Sequence, residues 1–161
     1  MIARSFLFAP GDSEKKIDKA LGCGADAVIL DLEDSVGPSN KAEARGVVVE
    51  TLQAASKRKG GPELWVRINP LNSDLALPDL AVTVGEGPTG VILPKCEGAR
   101  DLLRLSHYLD AYETDAGLEL GRIRILPLVT ETPAAVFTTG DYGGVTARLA
   151  GLTWGAEDLS A

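Results

Sequence analysis

Five short apolar runs, each closed by polar or charged residues, constrain this chain more than any other feature. They cover residues 27–34 (AVILDLED), 64–69 (LWVRIN), 90–95 (GVILPK), 125–131 (ILPLVTE) and 149–158 (LAGLTWGAED). Runs this short and this rich in Val, Ile and Leu are expected of parallel strands buried on both faces. Residues just past the carboxyl ends of parallel strands converge on one face of an α/β protein, and ligands bind there. The pattern therefore predicts one assembled site, with Asp31, Glu33, Asp34, Arg67, Lys95, Glu131 and Asp158 around its mouth.

Between the runs the chain reads as helices. The first strand is expected over residues 4–9, stopped by Pro10-Gly11, and Asp12 or Ser13 can cap the helix that carries Ile17, Ala20 and Leu21. Strand two covers 27–32 and strand three 64–68. The helix between them spans 41–57, with Val47, Val48, Leu52 and Ala55 as its apolar stripe and Lys57, Arg58 and Lys59 at its carboxyl end. A helix near 77–84 precedes strand four at 90–93. A strongly periodic helix follows at 98–114, then strand five at 123–129, a short helix opened by Thr132-Pro133, and strand six at 149–154. No internal linker divides the chain, so one domain over 1–161 is expected.

This alternation leaves two architectures open, an open doubly wound sheet and a (β/α)8 barrel of which about six βα units are present. The first turn reads APGDSEKK, with neither GxGxxG nor GxxxxGKS, so a glycine cradle for nucleotide phosphates lacks its residues. At 161 residues and 45% hydrophobic, the chain can bury a real core. A net charge of −7 argues against a general nucleic-acid or anionic-membrane binder. No apolar stretch approaches the roughly 20 residues that span a bilayer, and no secretory signal opens the chain, so a cytoplasmic protein is expected. Cys23 and Cys96 are far apart and outside any CxxC pattern; reduced, buried or half-buried thiols are the expectation.

The residue types at the strand ends point to oxygen-ligand chemistry. Glu131 and Asp158 follow successive strands, and two carboxylates with waters and substrate meet the octahedral demand of Mg²⁺, whereas zinc calls for His or Cys that this mouth lacks. The plain alternative is that both are solvated acids capping the next element. Arg67 closes an otherwise buried run and needs an anion, either a substrate carboxylate or a structural partner such as Glu33. Crowding among Asp31, Glu33 and Asp34 would raise carboxyl pKa values and suit proton transfer; equally, these acids could balance Arg67, Lys41, Arg45 and Lys95. Lys95 is a candidate substrate-binding cation or ion-pair partner, with a Schiff base the least favoured role. His107 falls mid-helix, which excludes a His-based triad. Trp65 and Trp154 are expected in the core.

In order, RSFLFAPGDSEKKIDKAL, ADAVILDLEDSV, KAEAR, WVRIN, GVILPK, the ET pair after strand five and the terminal WGAEDL resemble the citrate lyase β-subunit (CitE-like) family of the HpcH/HpaI aldolase/citrate lyase superfamily. The resemblance covers essentially the whole chain. It implies a TIM-type (β/α)8 barrel, Mg²⁺ as cofactor, homo-oligomers (trimers or hexamers) and, in some relatives, a multi-subunit citrate lyase. It implies a lyase that cleaves a 3-hydroxyacyl-CoA of citryl, malyl or citramalyl type to an acyl-CoA and an α-keto acid such as oxaloacetate. The alternatives are an aldolase acting on free keto acids without CoA, and a non-catalytic binding or assembly subunit. By the same resemblance, Glu131 and Asp158 fall on the metal carboxylates, with Glu131 also touching substrate. Arg67 falls on the arginine that holds substrate oxygens, Glu33 and Asp34 on the acidic motif, Lys41 and Arg45 on its basic companion, and Pro10-Gly11 where acyl-CoA approaches. For the general base the resemblance leaves alternatives: Asp34 or Glu33 are the local candidates, and relatives also use C-terminal residues. The family barrel has two further βα units, so a barrel ending at Ala161 is expected to leave its edges at strands one and six unpaired.

Overall fold

The computed structural model describes residues 3–58 and 60–158. Lys59 of the expected basic helix end and Leu159 of the WGAEDL motif lie outside the described residues. The five strands β1 (Phe6–Pro10), β2 (Ala27–Asp31), β3 (Glu63–Arg67), β4 (Gly90–Leu93) and β5 (Arg124–Pro127) pair in parallel, in the order β1-β2-β3-β4-β5. A doubly wound sheet reverses direction at a switch point, and this one does not. Sequential parallel winding is that of a (β/α) barrel, here incomplete, which resolves the choice left open by the alternation pattern.

Strand alternation sorts the side chains into two layers. Val28, Leu30, Val66, Val91, Leu93 and Ile125 face outward into one continuous core. The helices α1 (Glu14–Leu21), α2 (Lys41–Ser56), α3 (Ala76–Thr83) and α4 (Ala99–Asp115) all pack on that side. Their buried residues recur at helical spacing: Ile17 and Ala20 in α1, Ala44, Val48 and Leu52 in α2, Leu102, Leu105 and Leu109 in α4. Each fully buried aliphatic side chain is worth about 1.5–3 kcal/mol, so this layer carries the stability. A smaller inner cluster joins Ala27, Ile29, Trp65, Ile92 and Leu128. The Trp65 ring packs against β4 at Gly90, where a Cβ would sit 2.3 Å from it, so glycine is required there.

Three expectations are corrected. The segment predicted as strand six runs alongside β5 through two isolated parallel bridges, Ile125 with Leu149 and Leu128 with Thr153. Between and after these bridges the segment, which includes Gly151 and Gly155, has no regular strand structure. Trp154 is 72% exposed rather than in the core, because it lies on this outermost segment with no described element over its indole. Cys23 is exposed in the glycine-flanked turn after α1, its Sγ bonded to the Ala20 carbonyl at 3.1 Å; Cys96 is buried as expected. At the opposite margin, Phe6, Leu7 and Phe8 of β1 are 40–46% exposed. His107 lies on the exposed face of α4.

Candidate active site

The register of the sheet brings the carboxyl ends of its strands level. Pro10 pairs with Asp31, and Asp31 with Arg67, across three adjacent strands. Alternation then directs Asp31, Glu33 and Arg67 to the inner face. Lys95 follows β4 and Glu131 follows β5. Asp158 closes the segment beside β5. All seven strand-end residues expected at the mouth lie at this end of the sheet, and most touch one another.

Arg67 is the hub of the first group. Its Nε and Nη2 donate to the two oxygens of Asp31, each at 2.7 Å, in a bidentate pair. Its Nη1 stands 3.1 Å from Glu33 Oε2 and 4.0 Å from Asp34 Oδ2, and the guanidinium carbon lies 4.8 Å from the centre of the Phe8 ring. The principal structural partner is therefore Asp31, while Nη1 forms no hydrogen bond among the described residues. Burial by itself raises the Asp31 carboxyl, but Arg67, Ser35 and the Glu33 amide outweigh it and hold the carboxyl below the ordinary aspartate value. Glu33 goes the other way. Burial pushes it above the ordinary glutamate value, and Lys95 and Arg67 offset this only in part. Its Oε1 accepts from Lys95 Nζ at 2.8 Å, whereas its buried Oε2 receives no hydrogen bond. Asp34 turns into the loop with its side chain 59% exposed.

Glu131 and Asp158 form the second group. Glu131 is 7% exposed and accepts from the backbone N–H of Lys95. Burial chiefly, with Glu33 and Asp158 nearby, raises its carboxyl to about 7 against the pull of the Lys95 amide and ammonium. Gly155 lies between the two acids. A Cβ there would come within 2.8 Å of Glu131 Cγ and 3.1 Å of Asp158 Oδ2, so both carboxylates border a gap that only glycine leaves open. No three His, Cys, Asp or Glu side chains among the described residues converge as a metal-binding group. Two carboxylates, with a third buried carboxylate oxygen unsatisfied nearby, fit an oxygen-seeking cation that keeps waters and substrate in its remaining positions. They do not fit zinc.

Lys41 and Arg45 work beneath the mouth rather than within it. Lys41 Nζ donates to the carbonyls of Leu32 and Glu33 and to Asn69 Oδ1 at 2.6–2.9 Å, which fixes the path of the acidic loop. Arg45 pairs with buried Asp79 at 2.7 Å, and Asp79 in turn accepts from the amide and side chain of Asn69. Neither cation pairs with the side chains of Asp31, Glu33 or Asp34 among the described residues, so the balancing role first open to them is filled by Arg67 and Lys95. Asn69, Asp79 and Gly155 were not singled out from the sequence. The only signals were a polar residue closing LWVRIN, an acid inside the apolar stretch ALPDLAV, and a glycine between two proposed ligands.

The sequence profile described as HpcH/HpaI aldolase/citrate lyase matches residues 4–161. Citrate lyase subunit beta of Haemophilus influenzae is 33% identical over 157 residues, covering 98% of this chain and 53% of that protein. L-malyl-CoA/beta-methylmalyl-CoA lyase of Cereibacter sphaeroides is 30% identical over 163 residues, covering 98% and 49%. The solved citrate lyase beta subunit of M. tuberculosis, complexed with oxaloacetate and magnesium, superposes with a TM-score of 0.74 at 29% identity, covering 98% of this chain and 60% of that one. The chain thus spans about half the length of the curated relatives it matches.

Proposed function

This chain belongs to the HpcH/HpaI aldolase/citrate lyase family, and from that premise we propose that it supplies the metal-binding face of a Mg²⁺-dependent carbon–carbon lyase acting on 3-hydroxyacyl-CoA esters. Citrate lyase and malyl-CoA lyase relatives support the reaction class, and the magnesium and oxaloacetate complex of the solved relative supports both the metal and the keto-acid product. The observation that carries this reading is the pair Glu131 and Asp158 bordering the gap at Gly155, next to an acidic pair and a guanidinium.

Glu131 and Asp158 hold the cation. When bound, Mg²⁺ supplies Lewis acidity to the hydroxyl of the substrate and its neighbouring carboxylate. Arg67, already oriented by Asp31, offers Nη1 to the same substrate oxygens. Glu33 or Asp34 takes the hydroxyl proton; the upward shift of Glu33 suits a group that must accept and return one. As the hydroxyl oxygen forms the keto group, the C–C bond breaks and its electron pair passes to the thioester enolate. Protonation of that enolate gives the acyl-CoA, and the other fragment leaves as the α-keto acid. Lys95 adds positive charge for a substrate carboxylate, and Pro10 borders the approach of the thioester. We further read residues 1–161 as one barrel-type domain and the working protein as a homo-oligomer.

The direct test supplies malyl-, citramalyl- and citryl-CoA with Mg²⁺ and follows keto-acid release by hydrazone absorbance. Release from at least one ester is expected, abolished by chelator and by Glu131→Gln. Binding of pyruvate or oxaloacetate with Mg²⁺, but of no CoA ester, would replace this reading with the free keto-acid aldolase.

A further inference from the structure

The loop after β4 turns on Lys95, whose φ of 49° is the only positive value at a non-glycine position among the described residues. A side chain with a Cβ is disfavoured in that region, so the conformation is held by what it achieves. It points the Lys95 N–H at the Glu131 carboxylate and carries the ammonium back across the strand ends. There Nζ lies 2.8 Å from Glu33 Oε1, 3.7 Å from Asp34 Oδ2 and 3.7 Å from Asp158 Oδ1. One residue thus contacts both proposed metal ligands and both candidate bases, from three separate segments of the chain.

The charges explain why this matters. Asp31 is matched by Arg67 in its bidentate pair. Glu33, Asp34, Glu131 and Asp158 remain, four carboxylates that share the Lys95 ammonium and the one guanidinium nitrogen of Arg67 that Asp31 leaves free, 3.1 Å from Glu33 and 4.0 Å from Asp34. That ammonium draws on Asp158, an oxygen donor the proposed cation also requires, and like charges a few ångströms apart repel strongly where water is partly excluded. The Lys95 side chain is only 35% exposed, so solvent does not screen this fully.

We propose that Lys95 is a positioning residue that tempers dication binding: its amide orients Glu131 while its ammonium competes with the dication for Asp158. The proposal rests on the reading of Glu131 and Asp158 as dication ligands. Its consequence is reversible metal binding at a cluster whose acidity would otherwise hold a dication much more tightly. A merely structural lysine predicts the opposite sign, because its loss would disorder the ligands and weaken binding.

The test titrates chelator-treated protein with Mn²⁺, reading free ion by electron paramagnetic resonance at one pH. Lys95→Met keeps the apolar stem and the same backbone demand but removes the charge, and is expected to bind Mn²⁺ about tenfold more tightly. Lys95→Arg is expected near wild type. Should Lys95→Met misfold, Lys95→Gln takes its place. In the unmodified protein, the NMR signal of the Lys95 ammonium is expected to shift on addition of Mg²⁺. Equal or weaker binding in the neutral variant, or an ammonium signal that ignores Mg²⁺, overturns the competition while leaving the ligand assignment standing. Wild type that takes up no Mn²⁺, or binds it no better than Glu131→Gln, overturns the ligand assignment and this proposal with it.

Discussion

Replacing Gly155 with alanine adds one methyl group where the structure leaves no room for it. The new Cβ would lie 2.8 Å from Glu131 Cγ, 3.1 Å from Asp158 Oδ2 and 3.5 Å from Glu131 Oε1. Carbon atoms pack at about 3.5–4.0 Å, so the Glu131 side chain must recede by roughly 0.7 Å or the 155 backbone must lift. Glu131 has little freedom to recede, being buried and held by the Lys95 amide. The backbone is tied as well, since Gly155 and Thr130 exchange hydrogen bonds at 3.1 and 3.3 Å. Overpacking of this kind costs about 1–3 kcal/mol. If the strain falls on the two carboxylates, dication affinity drops by about 5- to 150-fold at 1.4 kcal/mol per decade. The φ of Gly155 lies outside the left-handed region, so alanine adds no backbone strain and the contact is isolated. Mn²⁺ titration reads the affinity, with Gly151→Ala as control, because its Cβ would meet only Leu126 Cδ1 at 3.6 Å. A Gly155→Ala protein that binds Mn²⁺ within twofold of wild type would refute the reasoning.

Other consequences concern charge and stability. Arg148 and Glu113 are 3% and 0% exposed; Glu113 accepts from both Nη atoms of Arg148 and from the amides of Gly121 and Ile123. Arg148→Met strands that carboxylate and is expected to cost about 3–5 kcal/mol in urea unfolding. Burial raises the Glu113 carboxyl, but Arg148 and the two amides outweigh it and hold it below 4.5. Its contribution is therefore present above 4.5 and lost as pH falls through the lower folded value, an acid limb that Arg148→Met flattens. Glu131 has the opposite sign. Its carboxyl is raised to about 7, so its contribution in chelator-treated protein is full below 4.5 and lost as pH rises toward 7. Because a cation binds the ionised form, Mg²⁺ affinity should climb about tenfold between pH 6 and 8, and thermal shifts at fixed Mg²⁺ measure it.

The strand ends were legible in the sequence because buried parallel strands are written as unbroken Val, Ile and Leu runs, which makes the first charged residue conspicuous. Helix stripes such as Ala44, Val48 and Leu52 follow from spacing alone. Winding order was not legible in the periodicity, because the alternation of strands and helices is the same for a sheet that reverses and one that proceeds; only the ordered motifs and their family resemblance implied the barrel that the long-range pairing shows. The LAGLTWGAED run reads as a strand by composition, yet its neighbour touches it at only two bridges, and Trp154 is left outside the core. The partner of Arg67 was foreseen as an acid; that it is chiefly Asp31 depends on cross-strand register. The geometry of Lys95 and the space kept by Gly155 are backbone facts that no residue pattern states.

The claim on which all else depends is that Glu131 and Asp158 together hold a divalent cation. Mn²⁺ titration of wild type, Glu131→Gln and Asp158→Asn, each first shown to unfold at the wild-type urea midpoint in the absence of metal, tests it directly. The account predicts one bound ion in the wild type and at least a tenfold loss of affinity in each variant. Undiminished binding in either folded variant would contradict it.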